Sequence, residues 1–401
     1  MDIALGHTIG LLCVAILVAI LARRLSLPYT VGLVVTGIGL AVARLDTGAM
    51  LTHDFILDVI LPPLLFEAAI NIHWRSLRRD MLPVLTLSTV GVAVSAAFVA
   101  AGMIFLLSWP VTPSLVFGVL IAATDPVAVI ALFKDIGVTG RPRLLVESES
   151  LFNDGVAAVL FGLMLTWAEL PQGASLSGIM IARTLAMVAG GGVLVGIACG
   201  MAAIAVAWGT SDRLIETALT AVAAYGSFLL AESFHVSGVL ATVAAGLLMG
   251  NLGVLVDDGK RAALSSQGRE FVLAFWEFAA FIANSLVFLL IGLRVAGIAF
   301  AGGDWAVVPV AIALVVAGRA LTVYPLCLPF AWSRWAVSMK DQHILWWGGL
   351  RGALALALVL ALPVSMPFNN EILIATFGVV TFSVVVQGLT MPMLIKRLSA
   401  V

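Results

Sequence analysis

Charge is what this chain has least of. Only 11% of its 401 residues are Asp, Glu, Lys or Arg, against about 25% in an ordinary soluble protein. Lys and Arg number 21, Asp and Glu 22, for a formal net charge of −1. With no excess of positive charge, there is no field to hold nucleic acid. Cysteine is nearly absent: Cys13, Cys199 and Cys327 each lie in an apolar stretch, which excludes a disulfide framework and a cysteine metal knuckle. The five histidines (His7, His53, His73, His235, His343) sit near segment ends without ligand spacing and read as solvated. No cleaved leader is expected, because Arg23 and Arg24 follow the first apolar segment and no small-residue cleavage site comes after them. An enzyme is not expected, nor a cofactor.

What fills the chain instead is hydrocarbon. Hydrophobic residues make up 62% and the mean hydropathy is +1.14. A chain this apolar cannot cover its core with polar surface, so it reads as an all-α polytopic membrane protein. A membrane-spanning helix needs about 20 mostly apolar residues, and that window gives about 13 transmembrane segments with short connections. Residues 1–401 read as a single membrane transport unit with no cytosolic C-terminal domain. Spans one to six fall within residues 1–167, a linking helix at 178–208, and spans eight to thirteen at 214–396. That division suggests two inverted six-helix repeats, a common plan in secondary transporters.

Spans five (113–134) and twelve (341–362) are counterparts in this scheme. Each is interrupted near its middle, one by Thr124-Asp125-Pro126 and the other by Gly348-Gly349-Leu350-Arg351-Gly352. Paired interruptions are the best sequence pointer to a transport site. Orientation follows from the cations. With the N-terminus outside and the C-terminus cytoplasmic, sixteen of the 21 Lys and Arg fall at inner ends, Lys134, Lys260 and Arg261 among them, and three, Arg44 included, at outer ends.

Four charges converge on one depth. Glu67, Asp125, Asp154 and Arg351 each lie roughly 15–18 Å from an edge of a hydrocarbon core about 30 Å thick. A charge there costs about 2.5–3.5 kcal/mol on insertion scales, so it pairs, faces water or does work. On span six, Ser150 and Asp154 share a helix face, while Glu149 and Asn153 share the neighbouring one. Oxygen ligands of this kind suit a hard cation or a proton. Glu149 needs a partner, and Arg351 is the obvious cation at its depth. Pro126 should break span five near Thr124, freeing a carbonyl or hydroxyl of Thr124 for an ion and leaving Asp125 beside a helix N-terminus.

Plainer readings stand beside these. Pro126 also fits a simple kink, and Gly348 with Gly352 forms a G-x-x-x-G that more often marks close helix packing. Glu149 with Arg351 reads as a structural pair rather than a ligand set. Arg319 lies nearer the inner half and can neutralise a helix C-terminus. Glu216 and Glu277, nearer the inner edge, face a vestibule or another helix, and Trp74, Trp346 and Trp347 read as interfacial anchors or packing. Asp154 has no comparable structural role.

Ala123-Thr124-Asp125-Pro126-Val127-Ala128-Val129, Glu149-Ser150-Leu151-Phe152-Asn153-Asp154-Gly155 and Gly348-Gly349-Leu350-Arg351-Gly352-Ala353 together resemble the motifs of the monovalent cation:proton antiporters, the sodium/proton exchangers. So do Leu61-Pro62-Pro63-Leu64-Leu65-Phe66-Glu67 and Phe275-Trp276 followed by Asn284 and Leu290-Ile291-Gly292-Leu293. The resemblance covers the chain from about span two to its end. It implies thirteen helices in a homodimer, a six-helix core moving against a dimerisation domain, and Asp154 binding cation or proton in turn. It also implies that Ser150, the Thr124 backbone and Glu67 help hold the cation. Asp125 would balance the broken helix ends, and Glu149 and Arg351 would form an ion bridge. Asn153 ahead of Asp154 is similar to the electroneutral branch.

The expected activity is exchange of Na+, or Li+ or K+, for H+ by alternating access in a bacterial inner membrane, contributing to pH homeostasis. A K+-selective antiporter, an ion channel, a sodium-coupled symporter on the same fold and a membrane scaffold are the alternatives. The channel would lack proton coupling. The symporter would need more aromatic and polar lining than Tyr29, Tyr225 and Tyr324 supply. The scaffold leaves the midplane carboxylates without a purpose.

Overall fold

A computed structural model describes residues 2–24, 28–43, 53–126, 129–130, 133, 137–168, 178–256, 262–300, 306–363 and 365–399. Val127 and Ala128 of the first motif, and Arg44, Lys134, Lys260 and Arg261 of the orientation count, lie outside the described residues. Among the described residues the chain is helical with no β-strand. The first half holds α1 (Asp2–Arg24), α2 (Tyr29–Val42), α3 (Leu61–Ile70), α4 (Trp74–Thr86), α5 (Val92–Leu107), α6 (Val111–Leu120) and α7 (Arg141–Ala168). After α8 (Gly178–Ala207) come α9 (Arg213–Ser233), α10 (Gly238–Met249), α11 (Ser266–Phe300) and α12 (Val307–Cys327). The chain closes with α13 (Met339–Gly348), α14 (Ala353–Leu360), α15 (Asn369–Phe382) and α16 (Gly388–Ser399).

Among the described residues, seven helical stretches are long and apolar enough to cross a bilayer by themselves. They are Trp74–Leu107, Arg141–Ala168, Ala182–Ala207, Arg213–Ser233, Ser266–Val295, Val307–Phe330 and Asn369–Leu398. Shorter apolar helices such as Tyr29–Val42, Val111–Leu120 and Gly238–Val254 accompany them. A span that stops partway leaves short helices: the predicted span twelve is divided into α13 and α14, and the predicted span five holds the short α6.

Polar caps sit where helices start. The Asp212 carboxylate accepts from the Leu214 and Ile215 N–H groups, Ser237 from Leu240 and Ser338 from Asp341. Each satisfies a backbone donor that the first helical turn leaves open.

Glycine sets the closest helix crossings, as expected where lipid gives no hydrophobic drive and packing must do the work. Where α2 meets α11, a Cβ on Gly37 would lie 2.9 Å from the Gly292 Cα and the Leu293 N, and one on Gly292 would lie 2.9 Å from the Ile38 N. On α8, Gly192, Gly196 and Gly200 recur every fourth residue and meet Ser237, Ala241 and Ala245 at α10. Phe66 and Trp276, with ring centroids 4.6 Å apart, anchor α3 to α11. Trp346 and Trp347 are packing residues: their indole N–H groups donate to the Val316 carbonyl and the Thr390 hydroxyl. His53 and His343 depart from the solvated reading. Each ring is hydrogen-bonded, His53 to the Ala357 carbonyl and His343 to the Tyr324 hydroxyl, because the neighbouring helix brings a polar partner to it.

Candidate functional site

The site begins with two helices that stop. α6 ends at Leu120, and residues 123–126 run extended. Pro126 has no N–H to continue a helix, and its ring pushes Asp125 out of the helical region. α13 ends at Gly348, and the chain resumes as α14 only after Gly352. The two extended stretches cross as an isolated antiparallel bridge, in which the Asp125 N–H donates to the Leu350 carbonyl at 2.7 Å. Both predicted breaks, at Pro126 and at Gly348-Gly349, are therefore present.

The crossing compensates its own helix ends. A helix C-terminus favours a cation and an N-terminus an anion. Arg351 donates from Nη1 to the Ala123 carbonyl, just past the end of α6, at 3.1 Å. The Asp125 carboxylate packs so closely on Gly352, the residue capping α14, that a Cβ there would overlap it. The Arg351 N–H donates to the Ser383 hydroxyl at 3.0 Å. Ser383 opens a π-helical turn, Ser383–Gln387, a local departure from the α-helix that is frequent at functional sites.

Asp154 lies beside this crossing, presented by α7. It is 8% exposed, and its Oδ1 has no hydrogen-bond partner in the protein. The Thr124 backbone N–H interacts with its carboxylate. Asp154, Thr124, Asp125 and Glu67 line one cavity of about 1020 Å³, so the structure gathers four of the predicted ion-binding residues around one space. The other two sit behind the wall. Ser150 accepts a hydrogen bond from the Thr124 hydroxyl at 3.1 Å, and Asn153 donates to Glu149 at 3.4 Å.

The ion bridge is corrected. Glu149 pairs with Arg319, not with Arg351. Arg319 Nη1 lies 2.7 Å from Glu149 Oε1 and Nη2 2.8 Å from Oε2, a two-pronged contact with the guanidinium 7% and the carboxylate 1% exposed. The Arg319 Nε and Nη2 also donate to the Leu345 carbonyl. Depth alone does not fix which way a side chain points. Arg351 sits on an extended stretch, so no helical period sets its direction, and it turns to the crossing. Arg319, on the regular helix α12, is carried to Glu149.

Two further carboxylates line the cavity. Glu277 does so from α11, in line with the vestibule reading, whereas Glu216 is taken up by the Ser265 N–H and hydroxyl. Glu147 was not foreseen, although it stands seven residues before Asp154 on α7 and so shares its face.

Comparison with known proteins agrees with this geometry. The family described as sodium/hydrogen exchanger, transmembrane, matches residues 11–397. The Na(+)/H(+) antiporter ApNhaP of Aphanothece halophytica is 38% identical over 94% of this chain and 70% of its own length. The Na(+)/H(+) antiporter NhaH of Halobacillus dabanensis is 35% identical over 98% of this chain and 97% of its own. Among solved structures, the sodium proton antiporter MjNhaP1 of Methanocaldococcus jannaschii superimposes with a TM-score of 0.78. That match covers 98% of both chains at 20% identity, so the likeness is one of fold.

Proposed function

Because the chain belongs to the transmembrane sodium/hydrogen exchanger family, we propose that it exchanges Na+ for H+ across the membrane at Asp154, by alternating access. It is an antiporter and not an enzyme. The observation that carries the reading is the Asp154 Oδ1, buried without a protein partner on the wall of a cavity that also offers Thr124, Asp125 and Glu67. A carboxylate oxygen in that position is a ligand for a hard cation or a site for a proton, not for both at once.

The cycle follows from that exclusion. Sodium takes up the Asp154 carboxylate with oxygens of Thr124 and Glu67, and Ser150 fixes the Thr124 hydroxyl from behind. A proton displaces it from the other side. Either loaded form carries Asp154 neutralised, whereas the empty form carries a bare carboxylate through a dry region at a cost of several kcal/mol. The empty form is therefore slow to change sides, which couples one cation to one proton. Asp154 is the single exchanged charge, so the cycle is electroneutral. Li+ and K+ use the same ligand chemistry. The same reading takes the thirteen crossings as two inverted repeats and the assembly as a homodimer. It places the protein in a bacterial inner membrane with the C-terminus cytoplasmic, supported by the distribution of Lys and Arg.

The test is Asp154→Asn in proteoliposomes under an imposed pH gradient. Sodium-driven proton movement is expected to vanish while the variant remains folded. Exchange at the wild-type rate would refute the assignment.

A further inference from the structure

The cavity at Asp154 has another polar wall, contributed by α2 and α11. Thr30 and Asn284 both line it. Thr30 is 0% and Asn284 5% exposed. Neither the Thr30 Oγ1 nor the Asn284 Oδ1 has a hydrogen-bond partner in the protein. Buried oxygens are ordinarily paired, and one left alone calls for a reason. Two of them on one cavity, from different helices, call for a shared one.

The packing brings them to one level. α2 and α11 run parallel, with Tyr29 against Phe281 at a ring separation of 6.0 Å and Gly37 against Gly292 further along. Thr30 follows Tyr29 by one residue and Asn284 follows Phe281 by three, so the two oxygens lie within about 3 Å of each other along the helix axes. Tyr29, the neighbour of Thr30, is within electrostatic reach of Asp125 and Glu67. The α2 end of this wall therefore borders the carboxylates of the ion site.

We propose that Thr30 and Asn284 form a neutral-oxygen subsite for the transported alkali cation, supplying ligands from α2 and α11 that complement the carboxylate from α7. This rests on the reading of Asp154 as the exchange site. A hydroxyl and an amide oxygen add no charge, so they strengthen cation binding without altering the one-for-one exchange. They also weigh the cations differently, because a neutral oxygen offsets the loss of hydration less well for a small ion than a carboxylate does. Thr30 and Asn284 are thus residues of affinity and selectivity, whereas Asp154 is the residue of exchange.

The experiment measures sodium- and lithium-driven proton movement in proteoliposomes for Thr30→Val, Thr30→Ser and Asn284→Ala, with Asp154→Asn alongside. Thr30→Val keeps the shape and removes only the hydroxyl. Thr30→Val and Asn284→Ala should each raise the half-saturating Na+ concentration about two- to tenfold, the affinity worth of one hydrogen bond. The maximal rate should stay within about twofold of wild type, since the carboxylate chemistry is untouched. The ratio of half-saturating Na+ to Li+ should shift in both variants, and Thr30→Ser should restore wild-type values. If Thr30→Val and Asn284→Ala bind both cations as wild type does while Asp154→Asn is inactive, the subsite is refuted and the exchange site stands. If Asp154→Asn stays active, the exchange site falls and the subsite with it. Should Asn284→Ala not fold, the contrast between Thr30→Val and Thr30→Ser decides the question alone.

Discussion

Consider removing the arginine that holds Glu149. In Arg319→Met the carboxylate, 1% exposed, loses both of its short contacts, at 2.7 and 2.8 Å. The Leu345 carbonyl loses its two donors from the same guanidinium. Breaking a buried pair by deleting one partner costs about 3–5 kcal/mol, chiefly because a charge is left without compensation. Removing both charges together, in Arg319→Met with Glu149→Leu, should recover most of that loss, since well-packed apolar replacements for a buried pair are often neutral. The assay is reversible denaturant unfolding in detergent, arranged as a double-mutant cycle. A second cycle pairs Glu149 with Arg351, whose guanidinium donates to the Ala123 carbonyl. Coupling of Glu149 to Arg319 should be several-fold larger than to Arg351. Wild-type stability for Arg319→Met, or stronger coupling to Arg351, would refute the pairing.

Two further expectations concern the crossing and the charge carried. Gly352→Ala should abolish transport, because its Cβ would overlap the short Asp125 side chain, whereas Gly348→Ala should be mild, since its Cβ would meet the flexible Met391 tip at 3.3 Å; uptake assays on both variants, normalised to folded protein, check this. A sodium gradient should drive proton movement at the same rate with and without a potassium-diffusion potential, and marked dependence on voltage would overturn one-for-one exchange.

Much of the site could be read from residue types because membranes penalise polar groups so heavily. Asp154 was conspicuous for that reason alone, and Thr124-Asp125-Pro126 announced a break through the chemistry of proline. Glycine spacing gave the second break. The pairing of Glu149 was not available by the same route. Counting residues from a span edge gives height in the bilayer, but the direction of a side chain around the bundle depends on packing that no single segment encodes. Thr30 was invisible for another reason. A threonine in an apolar helix ordinarily bonds back to its own turn, as Thr376 does to the Ile372 carbonyl, and only the three-dimensional structure shows that Thr30 does not. Asn284 drew notice as part of a motif, yet its place on the cavity wall needed the fold.

The contact between Gly37 and Gly292 bears on how such a molecule can change shape. Where two backbones touch with no side chain between them, neither helix can slip along the other without first lifting away and forfeiting that contact. α2 and α11 must then travel, or stand still, as a fixed pair. On the proposed alternating-access cycle, the displacement that opens the ion path to one face and shuts it to the other is forced onto looser seams elsewhere.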